Sequence, residues 1–162
     1  MFSRNKWQIG IIILFVFKIV VPVAQAETPF DFTLCSSGPI TLLSSTEGVN
    51  YFGVERKGIA MSNHENKVFD NCTSHLVGVG RGPAGNPIGF GYFKLMAPDG
   101  DFVIGELTGT QPDLTMKFLQ GSGKWKGITG LGKGQSITSD KPIIPGTAQN
   151  CARYKGSFDL PK

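Results

Sequence analysis

Glycine and proline recur so often along this sequence that a long regular helix has little room to form. The chain of 162 residues contains 22 glycines and 10 prolines, scattered along its length. After the first 26 residues, no window of ten carries apolar side chains at helical spacing, whereas many short segments rich in β-formers lie between turn signals. This pattern predicts an all-β domain.

Eight or nine strand segments fit between the turn signals. We expect the first to stop at a turn over residues 36–39, another to run from 67 to 79, and residues 98–100 to form a tight hairpin turn. So many short strands in one domain suit a single closed antiparallel β-barrel of about eight strands, because closure removes exposed sheet edges.

The first 26 residues have the organisation of a secretory signal peptide. Two basic residues precede an apolar run over residues 9–23, and residues 24–26 read Ala-Gln-Ala, which suits a signal peptidase. The alternative is an uncleaved membrane anchor, but the run is shorter than the ~20 residues that a spanning helix needs, and Lys18 interrupts it. We therefore expect residues 1–26 to be removed, leaving residues 27–162 as one periplasmic or secreted domain without a stable membrane span.

Cleavage also changes what the charge of the chain implies. The full sequence has 16 Lys and Arg against 12 Asp and Glu, a formal net charge of +4. Three of the basic residues and none of the acidic ones lie in the signal segment, so the exported domain has 13 basic and 12 acidic residues. A net charge near zero without a basic stripe disfavours nucleic acid as a partner.

The exported domain has three cysteines, which allows one disulfide and one free thiol in an oxidising compartment. In an up-and-down barrel the first and last strands are antiparallel neighbours. Cys35 ends the first predicted strand and Cys151 lies near the start of the last, so both fall at the same rim. We expect a Cys35–Cys151 disulfide and an unpaired, buried Cys72. The cysteine spacing matches no metal or haem pattern.

Three short motifs have simpler explanations than the functions that they suggest. Residues 80–85 match G-x-G-x-x-G, but a proline and a further strand follow instead of the helix that a dinucleotide site needs. Asp99-Gly100-Asp101 lacks the other ligands of a calcium loop. The glycosylation sequon at Asn71 falls within a predicted strand, and a bacterial exporter would not use it. We expect neither a metal nor a cofactor.

If the barrel carries out chemistry, its candidate catalytic groups are His75, Glu106, Tyr51 and Tyr92. The two-residue period of a strand places Glu106 on a face with apolar neighbours, where a buried carboxylate can act as an acid or base. A solvated glutamate at a strand end, and a surface or packed histidine, are the alternatives.

The most distinctive stretch covers residues 121–132, with the sequence GSGKWKGITGLG. Its glycines permit positive φ, so that Trp125 and Ile128 can close one barrel end while Lys124 and Lys126 face water. This stretch resembles the G-x-G-K-aromatic-x-G-x-x-G motif of the allene oxide cyclase and dirigent barrel superfamily, which includes secreted bacterial relatives with a similar preceding D-G-D hairpin. The resemblance implies an eight-stranded barrel with an apolar cavity, often in a dimer or trimer.

Strand faces and the glycine motif together predict the lining of that cavity. Phe102 and Ile104 share the face of Glu106, and Phe69 shares the predicted strand face of His75. The predicted lining residues are Phe69, Phe102, Ile104 and Trp125.

Two functions from different classes fit this domain. The first is a non-catalytic exported barrel that binds a small apolar ligand or serves as an envelope interaction module, for which a largely apolar lumen is sufficient. The second, implied by the resemblance, is a cyclase or isomerase of the allene oxide cyclase type that steers a reactive lipid or phenolic intermediate by confinement. A lumenal position of Glu106 and His75 would favour the second. A homo-oligomer is what the resemblance implies for the assembly of the domain.

Overall fold

The structure is a computed structural model that describes residues 27–83, 86–110, 112–139 and 141–161. Eight antiparallel strands, each hydrogen-bonded to the next and the last to the first, form a closed barrel, which confirms the predicted fold. Among the described residues, one 3-10 turn, Gly123–Trp125, lies between the sixth and seventh strands. The predicted signal segment lies outside the described residues. The strands are β1 (Thr28–Thr46), β2 (Val49–Ser62), β3 (Cys72–Gly82), β4 (Ile88–Met96), β5 (Phe102–Thr110), β6 (Asp113–Gly121), β7 (Thr129–Ser139) and β8 (Thr147–Asp159).

The turn predicted over residues 36–39 does not form, because this part of the chain lies inside the long strand β1. Ser37 pairs with Lys57 of β2, and Gly38 pairs with Ala148 of β8. Gly38 serves close packing here, since a Cβ atom at this position would overlap the carbonyl oxygen of Glu55. Residues typical of turns therefore occur here within a strand that needs small side chains. The two strands predicted on either side of residues 36–39 form the single strand β1.

The strand predicted to start at Lys67 starts at Cys72 instead. Residues 67–71 form turns, and Lys67, Phe69 and Asn71 all have positive φ between 53° and 60°. Left-handed backbone costs a non-glycine residue about 1–2 kcal/mol. This conformation directs Phe69 into the barrel interior, where its side chain is only 1% exposed, and burial of the ring offsets that cost. Phe69 therefore does not share a strand face with His75.

The seam between β1 and β8 carries the predicted disulfide. Cys35 lies directly opposite Cys151, with 4.0 Å between their Cα atoms, and the two are bonded. On the same outer face, the Asp31 carboxylate accepts two hydrogen bonds from Arg153, at 2.8 and 2.7 Å. Cys72 is free and buried, and burial raises the pKa of its thiol to about 11, so it is an inert packing residue.

In the part of the chain that the structure describes, no helix is both long and apolar enough to cross a bilayer.

Candidate functional site

The two ends of the barrel differ in how they are filled. The closed end, where β1 begins and β8 ends, is packed with aromatic rings. Phe69 lies at the centre of this cluster, with ring centroids 5.4 Å from Phe118 and from Trp125 and 5.5 Å from Phe32. Such edge-on and tilted pairs add about 0.5–1.5 kcal/mol each to the free energy of burial. The closed end is therefore a solid core.

The glycine-rich motif and the D-G-D hairpin hold one another at this closed end. The Asp101 carboxylate accepts a hydrogen bond from the backbone N–H of Lys124 at 2.9 Å, and the Lys124 ammonium contacts Asp99 at 2.6 Å. Gly123 has a φ of 49° and approaches Asp101 so closely that a Cβ atom would clash. These contacts join the two motifs and keep Trp125 and Ile128 buried. Among the described residues, no cluster of three metal-ligating side chains is present.

The opposite end contains a cavity of about 130 Å³ that opens between the ends of the strands. Its wall is largely apolar, with four aromatic residues and several aliphatic side chains, and it includes glycines on β3 and β4. A few polar side chains also face into it. The lining side chains include Leu34, Phe52, Arg56, Ser74, Leu76, Phe93, Asn150 and Tyr154.

Arg56 is the charged side chain of this wall. Its Nη1 donates a hydrogen bond to Oδ1 of Asn150 at 2.7 Å. Its Nε is buried and has no acceptor among the described residues. Burial lowers the pKa of Arg56, but a guanidinium keeps its proton in proteins, so the cavity wall carries a positive charge. No Asp or Glu of the described residues lines the cavity with it.

Tyr154 presents a second donor to the same space. Its ring lies over Gly134, where a Cβ atom would overlap it, and stacks on Phe32 at 5.4 Å. Burial raises the pKa of Tyr154 to about 12, although the charge of Arg56 opposes part of this rise. The hydroxyl is therefore neutral and able to donate a hydrogen bond at physiological pH.

The four candidate catalytic residues from the sequence do not come together in the lumen. His75 lies on the outer face, where its Nε2 is 2.9 Å from the Glu55 carboxylate. Glu106 lies opposite Tyr92 in the sheet, and residues directly opposite in antiparallel strands point to the same side. Tyr92 is 50% exposed and Tyr51 is 41% exposed, so all four belong to the outer surface.

The four residues predicted to line the cavity also lie elsewhere. Phe102 and Ile104 alternate with the fully buried Val103, so they point outward, and the Lys94 ammonium lies 4.4 Å from the centre of the Phe102 ring. Phe69 and Trp125 are buried, but in the packed closed end and not in the wall of the cavity.

Arg56 is a functional candidate that is absent from the residues predicted from the sequence. The signal was present in β2, where the two-residue period places Arg56 on the same face as Phe52, Val54 and Ala60. A cation on an otherwise apolar strand face is uncommon, because burial of an unpaired charge is unfavourable. The period of β2 therefore places Arg56 on the more apolar face of this strand, and the structure shows that this face lines the cavity.

Solved structures of dirigent proteins are similar to this chain, among them two pterocarpan synthase dirigent proteins. The pterocarpan synthase dirigent protein GePTS1 aligns with a TM-score of 0.51 at 9% sequence identity, over 83% of this chain and 91% of that one. The pterocarpan synthase dirigent protein PsPTS1 has a TM-score of 0.51 at 10% identity, over 85% and 99%.

No family model matches the sequence, and no curated protein matches it significantly. Identities of 9% and 10% support similarity in fold. At that level the resemblance carried by the glycine motif is confirmed: this chain has the dirigent-type barrel fold.

Proposed function

We propose that this protein is an exported, non-catalytic barrel that binds a small apolar ligand in the cavity at its open end. The observation that carries the proposal is the difference between the two ends, one filled with aromatic rings and the other enclosing a cavity of about 130 Å³. A cavity of about 150 Å³ lined by apolar groups can hold a molecule the size of benzene. A concave, mostly apolar space with a few convergent polar groups is the usual form of a ligand site.

The covalent structure supports the exported part of the proposal. The Cys35–Cys151 disulfide joins residues separated by 116 positions. Disulfides persist in oxidising compartments and are rare in the reducing cytosol of most organisms. This agrees with removal of residues 1–26 during export to the periplasm or the medium.

The alternative, a cyclase or isomerase that steers a reactive intermediate, is supported by the fold shared with pterocarpan synthase dirigent proteins. In this chain the groups offered for acid–base chemistry, His75 and Glu106, lie on the outer face. The described wall of the cavity provides Arg56 and Tyr154, which donate hydrogen bonds and hold charge but are poor bases at neutral pH. Binding is therefore the function that the cavity supports best.

Binding of a neutral fluorescent probe, N-phenyl-1-naphthylamine, tests the proposal. We expect its fluorescence to rise when its naphthyl group enters the cavity of the wild-type protein and its phenyl group extends through the open mouth. Leu76→Trp adds bulk to the cavity wall and should weaken binding about tenfold or more. Val77→Trp adds the same bulk to the outer face one residue later, where Val77 is 53% exposed, and should bind as the wild type does.

Thermal unfolding of both variants shows whether they are folded. Equal weakening by the two substitutions, or no saturable binding by the wild type, would contradict the proposal. Native mass spectrometry of the exported protein adds a direct readout, because a ligand retained through purification appears as an added mass.

A further inference from the structure

One edge of the Arg56 guanidinium is occupied and the other is not. Nη1 is held by Asn150 at 2.7 Å, which fixes the plane of the group. The opposite edge carries Nε and Nη2, and Nε is buried without an acceptor among the described residues. Buried polar atoms in proteins almost always have a hydrogen-bond partner, so an unpaired donor in a cavity wall indicates what the cavity accepts.

Arg153 shows what that edge binds when an acceptor is present. On the outside of the barrel, its Nε donates to Oδ1 of Asp31 at 2.8 Å and its Nη2 donates to Oδ2 at 2.7 Å. This side-on, two-point arrangement matches the spacing of the two oxygens of a carboxylate. Arg56 lines the cavity, and no carboxylate of a described residue lines it with Arg56. The Nε of that same guanidinium edge has no acceptor among the described residues.

We propose that the ligand of this cavity is an apolar molecule bearing a carboxylate, which binds to Nε and Nη2 of Arg56 while its apolar part fills the space toward Leu76 and Phe93. The proposal rests on the ligand-binding function proposed above and specifies the class of ligand. Tyr154 lines the same cavity and supplies a neutral hydroxyl donor to the head group.

Energetics favour an anionic over a neutral ligand. An unpaired charge in an apolar wall destabilises the folded protein, and an anion that arrives with its own apolar body relieves this cost. A hydrogen bond that involves a charged group is worth more than a neutral one, which corresponds to about a ten- to one-hundred-fold gain in affinity. Nearby carboxylates would cancel this preference, but those of Asp31 and Glu55 lie on the outer face and are already paired.

The test compares octanoate with octanamide, which has the same chain and a neutral head group, by isothermal titration calorimetry on the full exported protein. We expect the wild type to bind octanoate about ten- to one-hundred-fold more tightly than octanamide. Arg56→Met should reduce this preference to less than about threefold, whereas Arg153→Met, on the outer face, should leave it unchanged. Arg56→Lys keeps the charge without the two-point edge and should show an intermediate preference.

Binding of the neutral naphthylamine probe separates this inference from the proposed function. If the probe binds while octanoate and octanamide bind equally, or neither binds, the cavity takes neutral molecules and the inference is overturned. A preference that survives Arg56→Met also overturns it. If the probe itself does not bind, the proposed function fails and the inference fails with it. Octyl phosphate serves as a third ligand: tighter binding than octanoate would overturn the assignment to a carboxylate.

Discussion

The closed and open ends of this barrel are built from the same eight strands but use their inward-facing positions differently. At the closed end those positions hold Phe30, Phe32 and Phe118, and a loop inserts Phe69 among them. At the open end the corresponding positions on β3 and β4 include glycines and Leu76, and β2 contributes Arg56. Large rings that fill the lumen give stability, whereas small residues leave space that a ligand can occupy.

The two ends also differ in how their polar groups are satisfied. At the closed end, the Asp101 carboxylate is bonded to the backbone of the glycine motif, and Asp99 is paired with Lys124. At the open end, Nε of Arg56 is buried without an acceptor within the described part of the chain. Asp159, where β8 ends at the closed end, also has a buried oxygen without a partner among the described residues, but that oxygen is an acceptor. The open end is where a buried cationic donor lacks a partner.

Removal of the disulfide should have the largest effect, because it acts on the seam that both ends share. In the chain-entropy model, a loop closed over 116 residues stabilises the folded state by about 4–5 kcal/mol. We expect the Cys35→Ser, Cys151→Ser double variant to lose up to that amount of unfolding free energy, measured by urea denaturation. The neighbours Leu34 and Ser36 line the cavity, so hydrogen exchange should increase more at the open end of β1 than at Phe30. Equal increases along β1 would contradict this.

Truncation of one aromatic ring at each end should destabilise the protein to different extents. Phe69→Ala removes a ring that is 1% exposed and surrounded by other rings, so we expect a loss of about 3–5 kcal/mol of unfolding free energy. Phe52→Ala removes a ring that already borders the cavity, so its loss should be smaller, about 1–2 kcal/mol. Phe52→Ala should change the affinity for the naphthylamine probe more than Phe69→Ala does. Equal stability losses would show that the open end is packed as tightly as the closed end.

Removal of the exposed Asp31–Arg153 ion pair on the seam should change the free energy of unfolding least, and the size of this change should depend on pH. Hydrogen bonds from Arg153 hold the pKa of Asp31 well below its usual range. A depressed pKa in the folded state adds stability that is present above the unfolded value of about 3.9 and is lost as the pH falls below it. We expect Asp31→Asn to cost about 1 kcal/mol at pH 7, and this difference to shrink toward pH 2–3. A difference that stays constant between these pH values would show that the charge is not its source.

Most of the fold could be predicted from the sequence, but less of the candidate site could. Glycine and proline spacing was sufficient to predict a closed barrel, and closure in turn predicted the Cys35–Cys151 disulfide. The site is harder to predict because the strand period assigns residues to one of two faces without saying which face is inside. Glu106 and Phe102 share a face as expected, but that face is the outer one, since Val103 and Gly105 occupy the lumen side.

The strand pattern also could not predict the conformation of the loop that carries Phe69. Phe69 enters the core from a turn with positive φ, a conformation that no propensity of phenylalanine favours. Only the packing of the closed end makes this conformation stable, and packing is a property of the whole barrel. The expected homo-oligomer remains a prediction, which native mass spectrometry can test.

The most direct test of the central claim, that the open end binds an apolar carboxylate through Arg56, is an NMR titration of the ¹⁵N-labelled protein with octanoate. The Nε–H signals of arginine side chains are visible in such spectra. We expect the Arg56 signal to shift downfield as its donor gains an acceptor, while the Arg153 signal, already bonded to Asp31, stays in place. Saturable octanoate binding that leaves the Arg56 signal unmoved, or that shifts Arg153 instead, would contradict the claim.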